Sequence, residues 1–434
     1  MRSDPQVVRF DSIAHVNPAR RVHKGQPVPF IDMAALPQHS RDISPADVGV
    51  REAKGAGAHF QNGDTLLARI TPCLENGKTA QVRGLNIGAV GEGSTEFIVL
   101  SGIDPADNDF VYYLCRTTSF REYAIGRMEG TSGRQRVAWQ AIAAYEFSCP
   151  SPHVRRSAAR ALAALDDRID LLRQTNVTLE SIAQALFKSW FVNFDPVRAK
   201  QAGREPEGMD AATAALFPAE LEESALGLIP KGWNVGALVD LAELNVASWT
   251  SKRAPVEVAY IDLAGVKANV FDEPQRFAFE DAPSRARREL RDGDTLVGTV
   301  RPGNRSFGFI AKAEAGLTGS TGFAVLSPKK SEVAAFTYLC ATRNENIERL
   351  ASLADGGAYP AVRPELVAST QSILPATAVM NAFASIAYPL LNVVASNARR
   401  ARTLADIRDT LLPRLISGKL RLPEAQEQLE DVLA

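Results

Sequence analysis

Gly63-Asp64-Thr65-Leu66-Leu67-Ala68-Arg69-Ile70-Thr71-Pro72 is written a second time, as Gly293-Asp294-Thr295-Leu296-Val297-Gly298-Thr299-Val300-Arg301-Pro302. Other landmarks keep the same frame. Gly93-Ser94-Thr95, leading to Phe97 and Leu100, is echoed by Gly319-Ser320-Thr321, leading to Phe323 and Leu326. Tyr113-Leu114-Cys115 returns as Tyr338-Leu339-Cys340, and Leu179, Ile182 and Leu186 return as Leu404, Ile407 and Leu411. The offset stays at roughly 225 to 230 residues, far too long for a solenoid repeat, so the chain is a duplicated domain pair. Two copies of one unit suit two similar targets, or one pseudo-symmetric target.

The bulk numbers narrow the class. A chain of 434 residues with 45% hydrophobic and 23% charged residues is an ordinary globular protein of two to three domains. No run of eighteen apolar residues and no basic-then-apolar start is present, so neither a membrane span nor a signal peptide is expected. Cys73, Cys115, Cys149 and Cys340 form no C-x-x-C pair, which argues against a zinc site or disulfide framework and suits reduced cytoplasm. The net charge of −1 does not announce a nucleic-acid binder. Locally, though, Arg20, Arg21 and Lys24, then Arg134 and Arg136, then Arg285, Arg287 and Arg288 form basic groups. These are compatible with phosphate contacts, and equally with a solvated charged surface.

Each copy has a mixed part and a helical part. Runs such as Phe97-Ile98-Val99-Leu100 and Phe323-Ala324-Val325-Leu326, set between Gly, Pro, Asn and Asp clusters, are strand and turn signals, with helices such as that around Phe110 to Arg121. From His153 to about Val192, apolar residues fall at Leu162, Leu165, Ile169, Leu172, Leu179, Ile182, Leu186 and Trp190, a coiled-coil-like seam with Asn176 in its middle. The second copy repeats the stripe from about Val379 to Ile416 through Leu390, Val394, Leu404, Ile407, Leu411 and Leu415. Pro389 and Pro413 predict a kinked or broken helix there. The fold class is therefore α/β (α+β). Two mixed domains (1–150 and 230–376) would be held apart by two long helices (151–198 and 377–434, the latter with a C-terminal tail) pairing antiparallel, with a linker at 199–229. Lone amphipathic helices cannot bury their stripes, and pairing with each other is the simplest remedy.

Catalytic constellations are missing from the sequence. Gly77-Lys78-Thr79 ends like a phosphate-binding loop, but Pro72 stands where its first glycine belongs. His15, His23, His39, His59 and His153 make no ligand-spaced pair, and no methyltransferase tetrad or nucleophile elbow occurs. This favours a binding protein.

Two segments are specific enough to name a family. Leu186-Phe187-Lys188-Ser189-Trp190-Phe191-Val192-Asn193-Phe194-Asp195-Pro196-Val197 resembles the end of the first long helix in specificity subunits of type I restriction-modification systems. Leu411-Leu412-Pro413-Arg414-Leu415-Ile416-Ser417-Gly418-Lys419-Leu420 resembles the matching C-terminal segment. Ile229-Pro230-Lys231-Gly232-Trp233 and the Gly-Asp-Thr-Leu runs resemble that family's target-recognition domains. The resemblance implies a non-catalytic subunit whose two domains each read half of a bipartite double-stranded DNA site, while the helices fix the gap. Two modification (methyltransferase) subunits would dock on it, and restriction subunits with translocase and nuclease activity would join them. S-adenosylmethionine, ATP and Mg would belong to those partners, with no cofactor in this chain. A non-enzymatic protein-binding scaffold is the alternative reading.

Recognition chemistry then selects residues. Arginine reads guanine and Asn or Gln reads adenine bidentately, while Lys, Ser and Thr tend to hold phosphates. In the first copy the candidates are Thr131, Ser132, Arg134, Gln135 and Arg136 after the flexible Gly130, then Arg69, Thr71 and Lys78. In the second, Gly356-Gly357-Ala358-Tyr359 lacks the arginines, so Arg301, Asn304 and Arg305 join Tyr359 as candidates. Different half-sites would require such a departure.

Overall fold

The computed structural model describes residues 6–131, 133–357 and 359–420. Two compact units divide the chain: one runs to Leu171 and resumes at Ala401, and the other is Leu172–Arg400.

In the first unit, one four-stranded antiparallel sheet orders Ala14–Val16, Phe97–Gly102, Thr65–Ala68 and Thr79–Gln81. A second orders Gly49–Glu52, Pro27–Ile31, Gly91–Gly93 and Ala58–Phe60, with its central pair parallel. Phe97 and Val99 pack with Ile31, Phe60 and Leu66 into one core, while Ile98 and Leu100 pack with Leu67 and Phe110 into another. Covered on both faces, these strands read as continuous apolar runs instead of alternating ones.

The second unit repeats this strand for strand. Ala242–Leu244, Phe323–Pro328, Thr295–Gly298 and Phe307–Phe309 form one sheet; Gln275–Ala278, Glu257–Ile261, Leu317–Ser320 and Ala286–Glu289 form the other, again with a parallel central pair. Leu296, Phe323 and Val325 face one core and Val297, Ala324 and Leu326 the other. The Gly-Asp runs open the same strand in both: Gly63 and Gly293 turn at φ 87° and 84°, and Asp64 and Asp294 are buried.

The first long helix spans Pro152–Lys188, widens into a π-helical turn at Ser189–Asn193 and stops at Phe194, whose φ of 57° is left-handed. The second spans Thr377–Ile416 without interruption. Within the first unit, Ala158, Ala159 and Leu162 share a core with Leu411, Leu412 and Leu415, and Arg408 Nη1 lies 2.5 Å from Asp166 Oδ1. Within the second, Asn397 reaches Asn176, and the Phe383 ring packs on Phe187 and Trp190. In each unit residue numbers rise along one helix as they fall along the other, so the pairing is antiparallel.

Three expectations need correcting or narrowing. Of the kink or break expected at Pro389 and Pro413, the break does not occur: the second long helix is continuous, and both prolines lie on its exposed side, where water can serve the carbonyls that lose their N–H partners. Ile182 is off the seam at 49% exposure, and Ala183 and Phe187 are buried in its place. An α-helix drifts by about 20° per heptad from a strict seven-residue stripe, which moves the buried line. Ile169, Leu172, Val394 and Leu411 are buried, whereas Leu165, Leu179, Leu186, Leu390, Leu404 and Ile407 are partly buried at its margins. Residues 199–229 are more than a linker. They finish one helix (Asp195–Gln201), form another (Ala211–Ala215) and make most of a hairpin, Leu221–Ser224 with Gly227–Pro230. Phe217 and Ile229 enter the second core beside Trp190 and Trp233. The second long helix carries an 18-residue window of mean hydropathy 1.5, long and apolar enough to cross a membrane, but its Val379, Phe383, Ala387 and Leu391 line that same core.

Candidate nucleic-acid interface

A small hairpin occupies the same place in both copies. Thr71 N donates to the Gln135 carbonyl at 3.0 Å and Val137 N to Arg69 O at 2.9 Å; Arg301 N donates to Pro360 O at 2.7 Å and Val362 N to Thr299 O at 2.9 Å. Thr71 therefore corresponds to Arg301, and Gln135 to Pro360. Gly130 and Gly356 open the two hairpins at φ 130° and 120°, and a Cβ on either would sit 3.0 Å from a carbonyl oxygen, that of Arg134 or of Tyr359. Arg134 and Tyr359 are thus equivalent.

The first copy gathers most of its candidates here. Thr131 and Arg134 are exposed, with Arg134 N bonded to the Thr131 carbonyl at 3.0 Å; Ser132 lies outside the described residues. Gln135 N donates to Thr71 Oγ1 at 3.1 Å. Arg136 is gripped by Glu96: Nε lies 3.0 Å from each carboxylate oxygen and Nη2 2.7 Å from Oε1. Those hydrogen bonds raise the guanidinium pKa further. Lys78 is set apart, its ammonium donating to the Met33 carbonyl at 2.7 Å. Arg69 is partly buried with Asn17, Arg20, His59 and Thr95 around a cavity of about 310 Å³, and its Nε has no hydrogen-bond partner among the described residues.

The second copy loads the same position differently. The Arg301 guanidinium lies 5.0 Å from the centroid of the Tyr359 ring, which is 72% exposed. Arg301 and Arg305 are both left-handed, at φ 47° and 61°, around the short turn Pro302–Asn304. Non-glycine residues held there cost on the order of 1–3 kcal/mol each, a strain that recurs at ligand-binding loops. Asn304 is exposed, whereas Arg305 Nη2 donates to Asn344 Oδ1 at 2.7 Å.

No family model matches the chain. The specificity subunit of the type I restriction enzyme HindI from Haemophilus influenzae is 25% identical over 377 residues, covering 75% of this chain and 81% of that protein. The MjaIX specificity subunit of Methanocaldococcus jannaschii is 23% identical over 325 residues, covering 74% and 71%. This chain resembles the specificity subunits of type I restriction enzymes. The fold agrees: the crystal structure of a type I restriction-modification S subunit from M. genitalium matches at a TM-score of 0.56 with 14% identity, over 94% of this chain and 95% of that one.

On this specificity-subunit fold, some polar partners were missed in the sequence. Glu96 is one; its counterpart is Gly322, since Arg69 N binds Glu96 O as Thr299 N binds Gly322 O. Arg136 corresponds to Ala361, so acid and base vanish together in the second copy, a signal that comparing the copies could have found. The repeated tyrosines are another. Tyr113 OH donates to Asp166 Oδ2 at 2.6 Å and Tyr338 OH to Glu180 Oε1 at 2.9 Å, both carboxylates on the first long helix. Burial raises the Glu180 pKa, partly offset by Tyr338 and Asn269. Among the basic groups, Arg20 Nη2 bonds Asp64 at 2.7 Å and Arg288 Nη1 bonds Ser248 at 3.2 Å, whereas Arg285 is exposed.

Proposed function

We propose that this chain is the non-catalytic DNA-specificity subunit of a cytoplasmic type I restriction-modification complex. Each copy reads one half of a bipartite duplex site through its hairpin and the adjoining strand end. The long helices set the gap and dock two modification (methyltransferase) subunits, which restriction subunits join. S-adenosylmethionine, ATP and Mg act in those partners. The observation that carries this reading is the shared hairpin with different contents: Arg134 in one copy, and Tyr359 beside Arg301 in the other, at equivalent backbone positions. A duplicated scaffold with divergent side chains at one place is what reading two different half-sites demands.

Salt dependence of DNA binding by the chain with its methyltransferase tests this. Each phosphate neutralised contributes roughly −0.9 to the slope of log K against log salt. A slope of several units, with preference for one sequence, is expected. No sequence preference at any salt would favour a protein-binding scaffold.

A further inference from the structure

We propose that Glu96 is a positioning residue that sets base selectivity at the half-site read by the first copy, acting through Arg136 on Arg134; this rests on the function proposed above. The Glu96 carboxylate binds Nε and Nη2 of Arg136, and Nη1 of the same guanidinium donates to the Arg134 carbonyl at 3.2 Å. All three guanidinium nitrogens are therefore engaged by the protein itself, and the group works as a strut under the hairpin. Arg134, with an exposed side chain and a braced backbone, is the reader. A bidentate arginine contact discriminates bases only when its approach angle is fixed, so the strut determines selectivity more than affinity.

The duplication supports this division of labour. Gly322 and Ala361 occupy the Glu96 and Arg136 positions, and there the residue at the Arg134 position is Tyr359, lying beside the Arg301 guanidinium. Acid and base are present together or absent together, as expected for two ends of one strut. Each copy braces its hairpin by its own means.

Charge makes the proposal easy to overturn. An acid beside a DNA-facing loop repels phosphate, so if Glu96 were only a surface charge, Glu96→Gln would tighten DNA binding without regard to sequence. As a strut, its loss blurs recognition. The test maps methylated bases made by the complex with wild-type chain, Glu96→Gln, Arg136→Ala and the double variant. One half of the motif is expected to become degenerate in both single variants, with discrimination falling about tenfold. The double variant is expected to fall no further, since residues acting as one device are not additive. The second half of the motif reports in the same molecules that the chain is folded and assembled. Retention of both halves in Glu96→Gln, equal loss of both halves, or additive losses would each overturn the proposal. A wild-type complex with no split motif would overturn the parent function instead, and this inference with it.

Discussion

Asn397 donates its side-chain amide to Asn176 Oδ1 at 3.0 Å, and Asn176 returns its own amide to the Val394 carbonyl at 2.9 Å. A polar layer in an apolar helix seam sacrifices stability for register, because any slip leaves buried amides without partners. Asn176→Ala or Asn397→Ala is expected to lower stability by about 1–3 kcal/mol in denaturant titrations of the assembled chain. Replacing both with leucine should recover that loss. Silent single variants would show that the pair constrains nothing.

Asp294 carries a pH signature, and its surroundings differ from those of Asp64. Asp64 is bound by Arg20 Nη2 at 2.7 Å; counting from the matched Asn17 and Asn245, Ser248 takes the place of Arg20. Asp294 is fully buried, and burial pushes its pKa from 3.8 up to about 6 despite a hydrogen bond from Arg291 N. A raised acid holds its proton in the folded chain between those values when the unfolded chain has released it, so stability falls as pH rises through the window. Asp294→Asn removes that loss. Its advantage over wild type is expected to grow from pH 4 to about 6 and then level off, at up to about 3 kcal/mol for a two-unit shift. Melting curves at several pH values check it; a constant difference would refute the assignment.

Arg134→Ala is expected to weaken specific DNA binding by about 1–3 kcal/mol for a lost base contact, while assembly with the methyltransferase survives. Co-purification with that partner and affinity for the methylated motif measure the two separately. Unchanged affinity and unchanged site choice would remove Arg134 from the interface.

Tyr359→Ala removes the ring beside Arg301 and, on the proposed function, should relax only the half-site assigned to the second copy. An exposed cation–π contact contributes about 0.5–1 kcal/mol, so the loss is smaller than for Arg134→Ala. Relaxation of the other half would reverse the assignment of copies to half-sites.

Much of the fold was legible in the sequence because duplication writes it twice: Gly63 with Gly293, and Tyr113 with Tyr338, fix a frame that no single propensity supplies. The helices were legible from their stripes, but the buried line drifts, and Ile182 illustrates how a heptad count misplaces a residue that 3.6-residue geometry turns outward. Pro413 marks a second limit: proline weakens a helix locally, and the sequence does not show whether packing along the rest of the helix carries it through. At the proposed interface, residue type pointed to the two hairpins, yet not to the contacts made within them. Arg136 and Arg134 look alike in sequence, and only the carboxylate of Glu96, forty residues away, shows that one guanidinium is held by the protein while the other is exposed.

The central claim is that this chain supplies a DNA address in two halves. The most direct measurement maps methylated bases across a genome in cells that carry the partner methyltransferase, with the wild-type chain, with one heptad inserted into both long helices, and without the chain. The expected result is a split motif that appears only with the chain, and a longer gap with unchanged halves after insertion. An active methyltransferase whose methylation pattern does not depend on the chain would contradict the account.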